Sequence, residues 1–410
     1  MSSITKKKFG RREFIFVVCY QALLIFSIQA VPVLTPWISQ ELPLLKGLIG
    51  FFVSWIVISA LICSGVMMVL LKRIGAITGA ILSLWLLAIG ITGLIFIKEI
   101  TLFLLAGFFI GLAYSLVTPV GSQIISDLGD TRRSNFLFSV KQSSVSIGAG
   151  GAGLALPFLS NHFGWHLALT SILFLVVAML LTGYSIKSGE PKSINVRNEH
   201  FSYRELLPIS GLFVFLRHPL GKRLALASLV FALGQYGIMA IFVVWVWDQL
   251  NLGASLATQL FLVVMSFGIF GRVFWGYIAD KIGAKSVLTL QLLFSCLCCI
   301  FMGLLPKHPN LILLLLFSAS LGFIAMSWSG LLLSEVTRAG NMQKNRSMGV
   351  IEMTAGVQIL FYAGGLLGPS LLSSSYILTG SFQSGHFLIA ALFGVSLVAY
   401  QDPFIRRSKR

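Results

Sequence analysis

The chain has 410 residues, of which 57% are hydrophobic and only 10% are charged. A soluble globular protein carries about 25% charged residues, so this composition excludes that class and indicates a surface in contact with lipid. The net charge of +17 does not indicate a nucleic-acid binder, because the basic residues cluster in the breaks between apolar segments.

Apolar segments long enough to cross a bilayer recur along the whole chain, and each predicts a transmembrane helix of roughly 20 residues or more. The predicted spans are 14–38, 47–70, 76–97, 101–126, 135–160, 165–186, 222–247, 256–279, 286–305, 310–333, 347–373 and 383–401. The first exceeds the about 7–15 apolar residues of a signal peptide, so we predict an uncleaved span. The alternation typical of a membrane β-barrel is absent. The sequence therefore predicts an all-α membrane protein with twelve transmembrane helices.

The basic residues are distributed unevenly between the two sides of the predicted helices. One side receives both chain ends and nearly all of the loop lysines and arginines, whereas the other has only Lys46, Lys98 and Lys307. By the positive-inside rule, we expect both termini in the cytoplasm, and the regular alternation supports an even number of spans. Short loops and the lack of a large soluble domain favour a multi-pass protein of a bacterial inner membrane.

The longest polar stretch lies between the sixth and seventh spans and divides the chain. We predict an N-terminal six-helix bundle over 1–186, a cytoplasmic linker over 187–221 and a C-terminal six-helix bundle over 222–410. Within the linker, residues 206–216 are apolar but too few to cross the bilayer. This short segment is expected to form a helix at the membrane interface.

The two halves carry similar segments at equivalent positions. Residues 126–157 resemble residues 334–369, since each segment has an acidic helix end, a basic loop and a helix rich in small residues. A second echo lies between residues 72–75 and 280–283. Duplicated halves around a site near the membrane midplane are a recurring plan among transporters.

Residues 276–285 contain the spacing G-x-x-x-D-[RK]-x-G-x-[RK]. Together with twelve spans in two sixes, this segment resembles the cytoplasmic loop signature of the major facilitator superfamily, and the resemblance covers essentially the whole chain. It implies a fold of two pseudo-symmetric six-helix bundles. In the first half the copy is degraded, because Lys72 and Met68 replace the acid and the first glycine. A shorter similarity, over 141–153, is to porters of cyanate and small organic anions.

The resemblance implies a gating role for the loop signature. Asp280 is expected to contact the N-terminus of the eleventh helix, where an anion is stabilised by about 0.3–1 kcal/mol, and to hold the cytoplasmic side closed. The alternative is a solvated loop acid without such a role. The predicted gating residues are Gly276, Asp280, Lys281, Gly283, Lys285, Arg73 and Gly75.

Three charged residues, Lys141, Arg272 and Glu352, lie inside predicted spans, roughly 8–12 Å from their cytoplasmic ends. Charges at this depth are costly unless paired or hydrated, and they indicate function. Two positive charges and one negative charge predict an electropositive cavity that an anionic substrate would neutralise, with Arg272 as the bidentate partner of a carboxylate. Alternatively, Lys141 extends to the interface while Arg272 and Glu352 form a structural pair.

Polar and aromatic residues near the middle of the spans complete the predicted pocket. Each could bind a substrate or a neighbouring helix. They are Gln29, Tyr114, Gln235, Tyr236, Trp328, Gln358 and Tyr362. We also expect Pro32, Pro36 and Pro119 to kink their helices near the cavity.

These observations predict a secondary active transporter that moves a small, anionic organic solute by alternating access. The alternatives are an exporter of amphiphilic or hydrophobic compounds, which the aromatic pocket would suit, and a non-transporting membrane scaffold. No enzyme, cofactor or metal is expected, because the six histidines are scattered and no G-x-x-x-x-G-K-[ST] motif occurs. The predicted partners are the solute and the lipid bilayer, without nucleic acid, for a monomeric protein. Glu352 is the one candidate proton carrier, and coupling to protons or a counter-ion stays open.

Overall fold

The computed structural model describes residues 10–43, 45–127, 134–187, 209–341 and 346–401. These residues are mainly helical and include no β-strand. Twelve helical segments among them are long and apolar enough to cross a membrane. In chain order the helices of the spans are Arg11–Ile28 with Ala30–Glu41, Leu45–Ile74, Ala76–Ile95, Ile100–Ser115 with Val117–Asp127, Ser134–Phe163, Trp165–Lys187, Pro219–Val244 with the π-helical turn Trp245–Gln249, Ala254–Ile282, Ala284–Leu304, Leu311–Ala325 with Trp328–Asn341, Arg346–Thr379, and Gln383–Gln401.

The predicted span order is confirmed, and the boundaries differ by a few residues at most ends. The largest extensions are in the tenth span, Leu311–Ala325 with Trp328–Asn341, and the eleventh, Arg346–Thr379, which were predicted over 310–333 and 347–373. Both helices continue past the apolar stretch, because a helix satisfies its own backbone hydrogen bonds in water as well as in lipid. At 34 residues and 1.5 Å per residue, the eleventh span is about 51 Å long.

Two predicted proline kinks fall where helices break. Pro32 has no N–H to donate to the carbonyl of Ile28, and the first span is interrupted between Ile28 and Ala30. Pro119 stands in the same relation to Ser115, the last residue before the break in the fourth span. Pro36, by contrast, remains inside the helix Ala30–Glu41.

The tenth span also breaks, although it contains no proline at that point. Its two helices are separated at Met326 and Ser327, and the Ser327 hydroxyl donates to the Phe323 carbonyl within the same span. The seventh span ends in the π-helical turn. The irregular spans are therefore the first, fourth, seventh and tenth, which recur every third helix through both halves.

The twelve spans form two pseudo-symmetric six-helix bundles. Two seams join them, one between the second and eleventh spans and one between the fifth and eighth. The seventh span is the most enclosed, with 83% of its most apolar window buried, whereas this share is 33% for the sixth span and 39% for the twelfth. The sixth and twelfth spans therefore present most of their surface to lipid.

Very close helix contacts occur where glycine faces the neighbouring half. A Cβ placed on Gly50 of the second span would lie 2.2 Å from the carbonyl oxygen of Pro369 in the eleventh. At the other seam, a Cβ on Gly153 of the fifth span would lie 3.0 Å from the ring of Phe261 in the eighth. The absence of side chains at these positions allows the two backbones to approach.

The face that carries Gly10 and Gln401, the first and last described residues, is called the basic face here. On it, Gly75 and Gly283 each join two spans in a one-residue turn, with φ of 84° and 87°. Only glycine adopts this conformation without strain. The two echoed sequence segments therefore have the same backbone turn. The face at the other end of the spans, which carries Asn251 and His308, is called the opposite face.

The linker helix is Ile209–Arg217, close to the predicted segment 206–216. Phe215 of this helix is buried and Phe213 is exposed. The helix packs against the eleventh span, so it is docked on the C-terminal half. Its location at the membrane interface stays a prediction. The assignment of 1–186, 187–221 and 222–410 as bundle, linker and bundle stays a prediction.

Candidate functional site: a cavity between the two halves

A cavity of about 100 Å³ lies between the bundles. Residues from four spans of each half line it, namely the first, second, fourth and fifth, and the seventh, eighth, tenth and eleventh. The lining residues are Gln21, Ile25, Ile28, Gln29, Val53, Ile56, Val57, Tyr114, Val117, Thr118, Gln142, Val145, Gln235, Tyr236, Met239, Ala240, Arg272, Trp328, Ser329, Gln358 and Phe361. The site therefore has the same approximate twofold relation as the fold.

Seven of the ten residues predicted to bind substrate line this cavity. They are Gln29, Tyr114, Gln235, Tyr236, Arg272, Trp328 and Gln358. Tyr362 does not line it; its ring lies edge-on to Tyr114 with 6.5 Å between centroids. Glu352 belongs to the eleventh span, but its side chain lies outside the part of the chain that the structure describes. Substrate binding by each of these residues stays a prediction.

Lys141 also does not line the cavity. It is 2% exposed, and its aliphatic chain packs so closely on Gly121 of the fourth span that a Cβ there would lie 2.2 Å from Cε. The neighbouring residue, Gln142, lines the cavity instead, because successive residues point about 100° apart around a helix. Lys141 therefore faces the fourth span within its own half rather than extending to the membrane interface.

Arg272 is the only cationic side chain among the described lining residues. Its Nη1 donates to the backbone carbonyl of Gln142 across the seam, at 2.9 Å. Its Nε has no hydrogen-bond partner among the described residues. The bond through Nη1 thus leaves the edge formed by Nε and Nη2, which is one of the two edges that can bind a carboxylate with parallel hydrogen bonds.

Further polar atoms of the lining lack partners within the described chain. Trp328 Nε1 is a buried donor without an acceptor, and Gln21 Oε1 and Gln235 Oε1 are buried acceptors without a donor. Trp328 is fixed by its ring contacts, stacked on Phe231 at 5.1 Å and edge-on to Phe361 at 5.2 Å between centroids. A buried polar group without a partner is costly, so these atoms favour a site that is completed by a polar ligand or water.

Other predicted residues already have partners in the opposite half. The hydroxyls of Tyr114 and Tyr236 are 3.1 Å apart, joining the fourth and seventh spans. Gln29 donates through Nε2 to the backbone carbonyl of Met239, joining the first and seventh. These side chains therefore make hydrogen bonds between helices of the two halves, and substrate binding by them stays a prediction.

An ion pair connects the two halves at the opposite face. Lys46, at the start of the second span, pairs with Asp248 in the π-helical turn of the seventh. The second carboxylate oxygen of Asp248 accepts a 2.7 Å hydrogen bond from the Tyr376 hydroxyl of the eleventh span. The Lys46 ammonium also lies 5.1 Å from the centroid of the Trp247 indole ring. Three spans therefore meet around one carboxylate.

The predicted gating residues lie on the basic face. Asp280 is exposed, and its carboxylate has no hydrogen bond or ion pair with another described residue. The Lys281 ammonium lies 4.3 Å from the ring centroid of Tyr277. Residues 342–345, which precede the eleventh span, lie outside the described ranges, so the latch between Asp280 and this helix stays a prediction.

Sequence reasoning did not single out Gln21, Gln142 and Asp248 as site residues. Gln21 and Gln142 could have been found from their position, since each is an amide inside a predicted span, and their side chains share a 3.3 Å hydrogen bond. Asp248 gave a weaker signal, because an acid at the end of a span is ordinarily solvated. Its importance depends on Lys46, which is some 200 positions away in the sequence.

The chain is similar to known proteins over most of its length. The sequence profile described as Major Facilitator Superfamily matches residues 17–369. An MFS-type transporter of Gibberella moniliformis (strain M3125 / FGSC 7600) is 23% identical over 303 residues, which cover 70% of this chain and 68% of that protein.

Solved structures share the fold. The peptide transporter POT superposes with a TM-score of 0.70 at 16% identity, covering 99% of this chain and 97% of that one. The human organic anion transporter MFSD10 (TETRAN) superposes with a TM-score of 0.69 at 15% identity, covering 95% of this chain and 99% of that one.

Proposed function

Because the chain belongs to the Major Facilitator Superfamily, whose members are transporters and not enzymes, we propose that it carries a small, anionic organic solute across the membrane by alternating access. The observation that supports an anionic solute is the position of Arg272. Its guanidinium lies in the cavity between the halves, and no other charged side chain is found among the described lining residues. An anion would complete the charge balance there.

Alternating access requires the two bundles to separate at one face while they remain joined at the other. At the opposite face they are joined by the ion pair between Lys46 and Asp248 and by the close contact of Gly50 with Pro369. We propose that these contacts hold the opposite face closed and that they break when the cavity opens there. Asp280 and the residues around it are proposed to hold the basic face closed in the alternate state.

Orientation follows the distribution of charge. The basic face carries most of the described loop cations, including Arg11, Arg73 and Lys281, and the opposite face carries Lys46, Lys98 and Lys307. We propose that the basic face, with both termini, lies in the cytoplasm. A fungal relative is among the similar proteins, so the bacterial inner membrane is one of several membranes that fit. Single cysteines introduced at the basic face or at the opposite face, and labelled in intact cells with a reagent that does not cross the membrane, would test the orientation. Only those at the opposite face should react.

The organic anion transporter MFSD10 is a structural neighbour, and an anionic substrate for this chain is compatible with that likeness. The exporter of amphiphilic compounds remains the second candidate, since the apolar and aromatic lining that includes Phe361 and Trp328 would suit such compounds.

Binding to the purified protein tests the proposal. In a thermal-shift screen, organic anions should raise the melting temperature, because a ligand that binds only the folded state stabilises it by mass action. The shift should disappear in Arg272→Gln and persist in Lys98→Gln, which removes an exposed lysine far from the cavity. Equal shifts by anions and by hydrophobic cations, unaffected by Arg272→Gln, would favour the exporter of amphiphilic compounds instead.

A further inference from the structure

We infer that the substrate is a monocarboxylate with a compact apolar body and no ammonium group, so that zwitterions and dicarboxylates are excluded. This inference rests on the proposed function and narrows its substrate class. It depends on which charges and polar atoms the described lining offers, and on how much room lies between them.

The first argument is the number of cations. Arg272 is alone among the described lining residues in carrying a positive charge, and Lys141 faces Gly121 within its own half. One carboxylate is therefore matched by one guanidinium. A second carboxylate on the same ligand would be desolvated between the bundles without a cation beside it, which is strongly unfavourable.

The second argument is the lack of an anionic partner for an ammonium group. The polar acceptors of the described lining are neutral, and the unpartnered ones are the amide oxygens of Gln21 and Gln235. A charged amine would lose its hydration shell for neutral dipoles alone. Glu352 is the nearest acid in the sequence of the eleventh span, six residues before the lining residue Gln358, which is about 9 Å along the helix axis.

The third argument is the apolar wall and the volume. Aliphatic side chains that include Ile25, Val53 and Val57 line the cavity together with the aromatic ring of Phe361. A cavity of about 150 Å³ lined by such residues holds benzene, and this one is about 100 Å³. The cavity thus fits an apolar body smaller than a benzene ring, with the carboxylate directed to Arg272.

A set of three-carbon compounds separates these charges. Propionate is the monocarboxylate, malonate the dicarboxylate, alanine the zwitterion and propylamine the cation. Competition against radiolabelled propionate on the purified full-length protein would measure relative affinity. We expect propionate to compete at least tenfold better than the other three, and Arg272→Gln to abolish propionate binding.

Further variants keep the test decisive. If Arg272→Gln does not fold, Arg272→Lys retains the charge without the planar set of donors, and propionate should bind more weakly while its preference over alanine remains. Lys98→Gln removes an exposed lysine far from the cavity and should leave propionate binding intact. Glu352→Gln asks whether any binding of alanine depends on this acid.

The outcomes distinguish this inference from the function on which it rests. Binding of malonate or alanine as tightly as propionate, with loss in Arg272→Gln, would overturn the inference and leave an anion transporter. Alanine binding that depends on Glu352 would do the same and would identify the missing partner of the ammonium. Binding of propylamine alone, unchanged in Arg272→Gln, would overturn both proposals.

Discussion

Removing Lys46 should open the cavity to the opposite face more often. Lys46→Gln leaves Asp248 with the hydrogen bond from Tyr376 but without its ion pair to the N-terminal half. The N-terminal half then loses its only described charged contact with this carboxylate. If the pair is absent from the open state, the closed state is destabilised by the full value of the interaction.

The size of this effect follows from the exposure of the pair. The two side chains are 31% and 22% exposed, so solvent screens the attraction and the upper end of the range for accessible pairs, ~1 kcal/mol, is appropriate. A difference of ~1 kcal/mol changes an equilibrium constant about fivefold, since 1.36 kcal/mol corresponds to tenfold. The open population should therefore rise about fivefold while it remains the minor state.

Distances between the halves would report this population. Spin labels at Phe163→Cys and Leu304→Cys, both on exposed side chains near the opposite face, would be introduced after replacement of the five native cysteines. Double electron–electron resonance should show more of the longer distance in Lys46→Gln and in Asp248→Asn. The exchanged pair Lys46→Asp with Asp248→Lys should restore much of the original distribution.

Lys98→Gln is the matched control, because Lys98 is an exposed lysine of the same face. If Lys98→Gln and Lys46→Gln changed the distances equally, the cause would be net charge and not the bridge. Unchanged distributions in both Lys46→Gln and Asp248→Asn would refute the role assigned to the pair.

Three further predictions concern the seams, the loop glycines and the tyrosine pair. Gly50→Val should destabilise the closed seam by ~1–3 kcal/mol, because a Cβ would meet the Pro369 carbonyl, and so lower the melting temperature or favour opening at the opposite face. Gly253→Val is the control, since a Cβ at Gly253 meets no other atom within 4 Å, and it should change neither. Gly283→Ala should destabilise the protein by ~1–3 kcal/mol because of its φ of 87°, and equal melting of Gly283→Ala and Gly276→Ala would contradict this. Tyr114→Phe should lower thermal stability by ~1 kcal/mol through loss of the bond to Tyr236, whereas Tyr277→Phe, on an exposed ring, should have no such effect in the same melting assay.

The number and order of the spans could be predicted because the bilayer imposes a simple rule on the sequence. Each crossing needs a fixed length of apolar residues, and each return leaves a polar break. The echo between residues 72–75 and 280–283 was also visible, and its physical basis is the positive φ that Gly75 and Gly283 share. Hydropathy could not show how far the tenth and eleventh helices continue, because their ends lie beyond the apolar stretch.

The sequence could predict that the halves pack closely, but not which residues contact each other. Small residues on the fifth and eleventh spans indicated close packing, but the partner of each glycine depends on register between segments far apart in the sequence. The break at Ser327 carries no proline signal, and Asp248 acquires its role only from Lys46. Lys141 is the clearest example of a position that sequence could not place. The next residue along the helix, Gln142, lines the cavity, whereas Lys141 does not.

Arg272 links substrate binding to the position of the two bundles. Its Nη1 bond to the Gln142 carbonyl crosses from the eighth span to the fifth, while the edge with the unpartnered Nε is left for a ligand. A carboxylate on that edge would orient the guanidinium and so strengthen or weaken the bond across the seam. A ligand shifts a conformational equilibrium only by its difference in affinity for the two states. Because one side chain makes both contacts, this site can supply such a difference without a separate transmitting element.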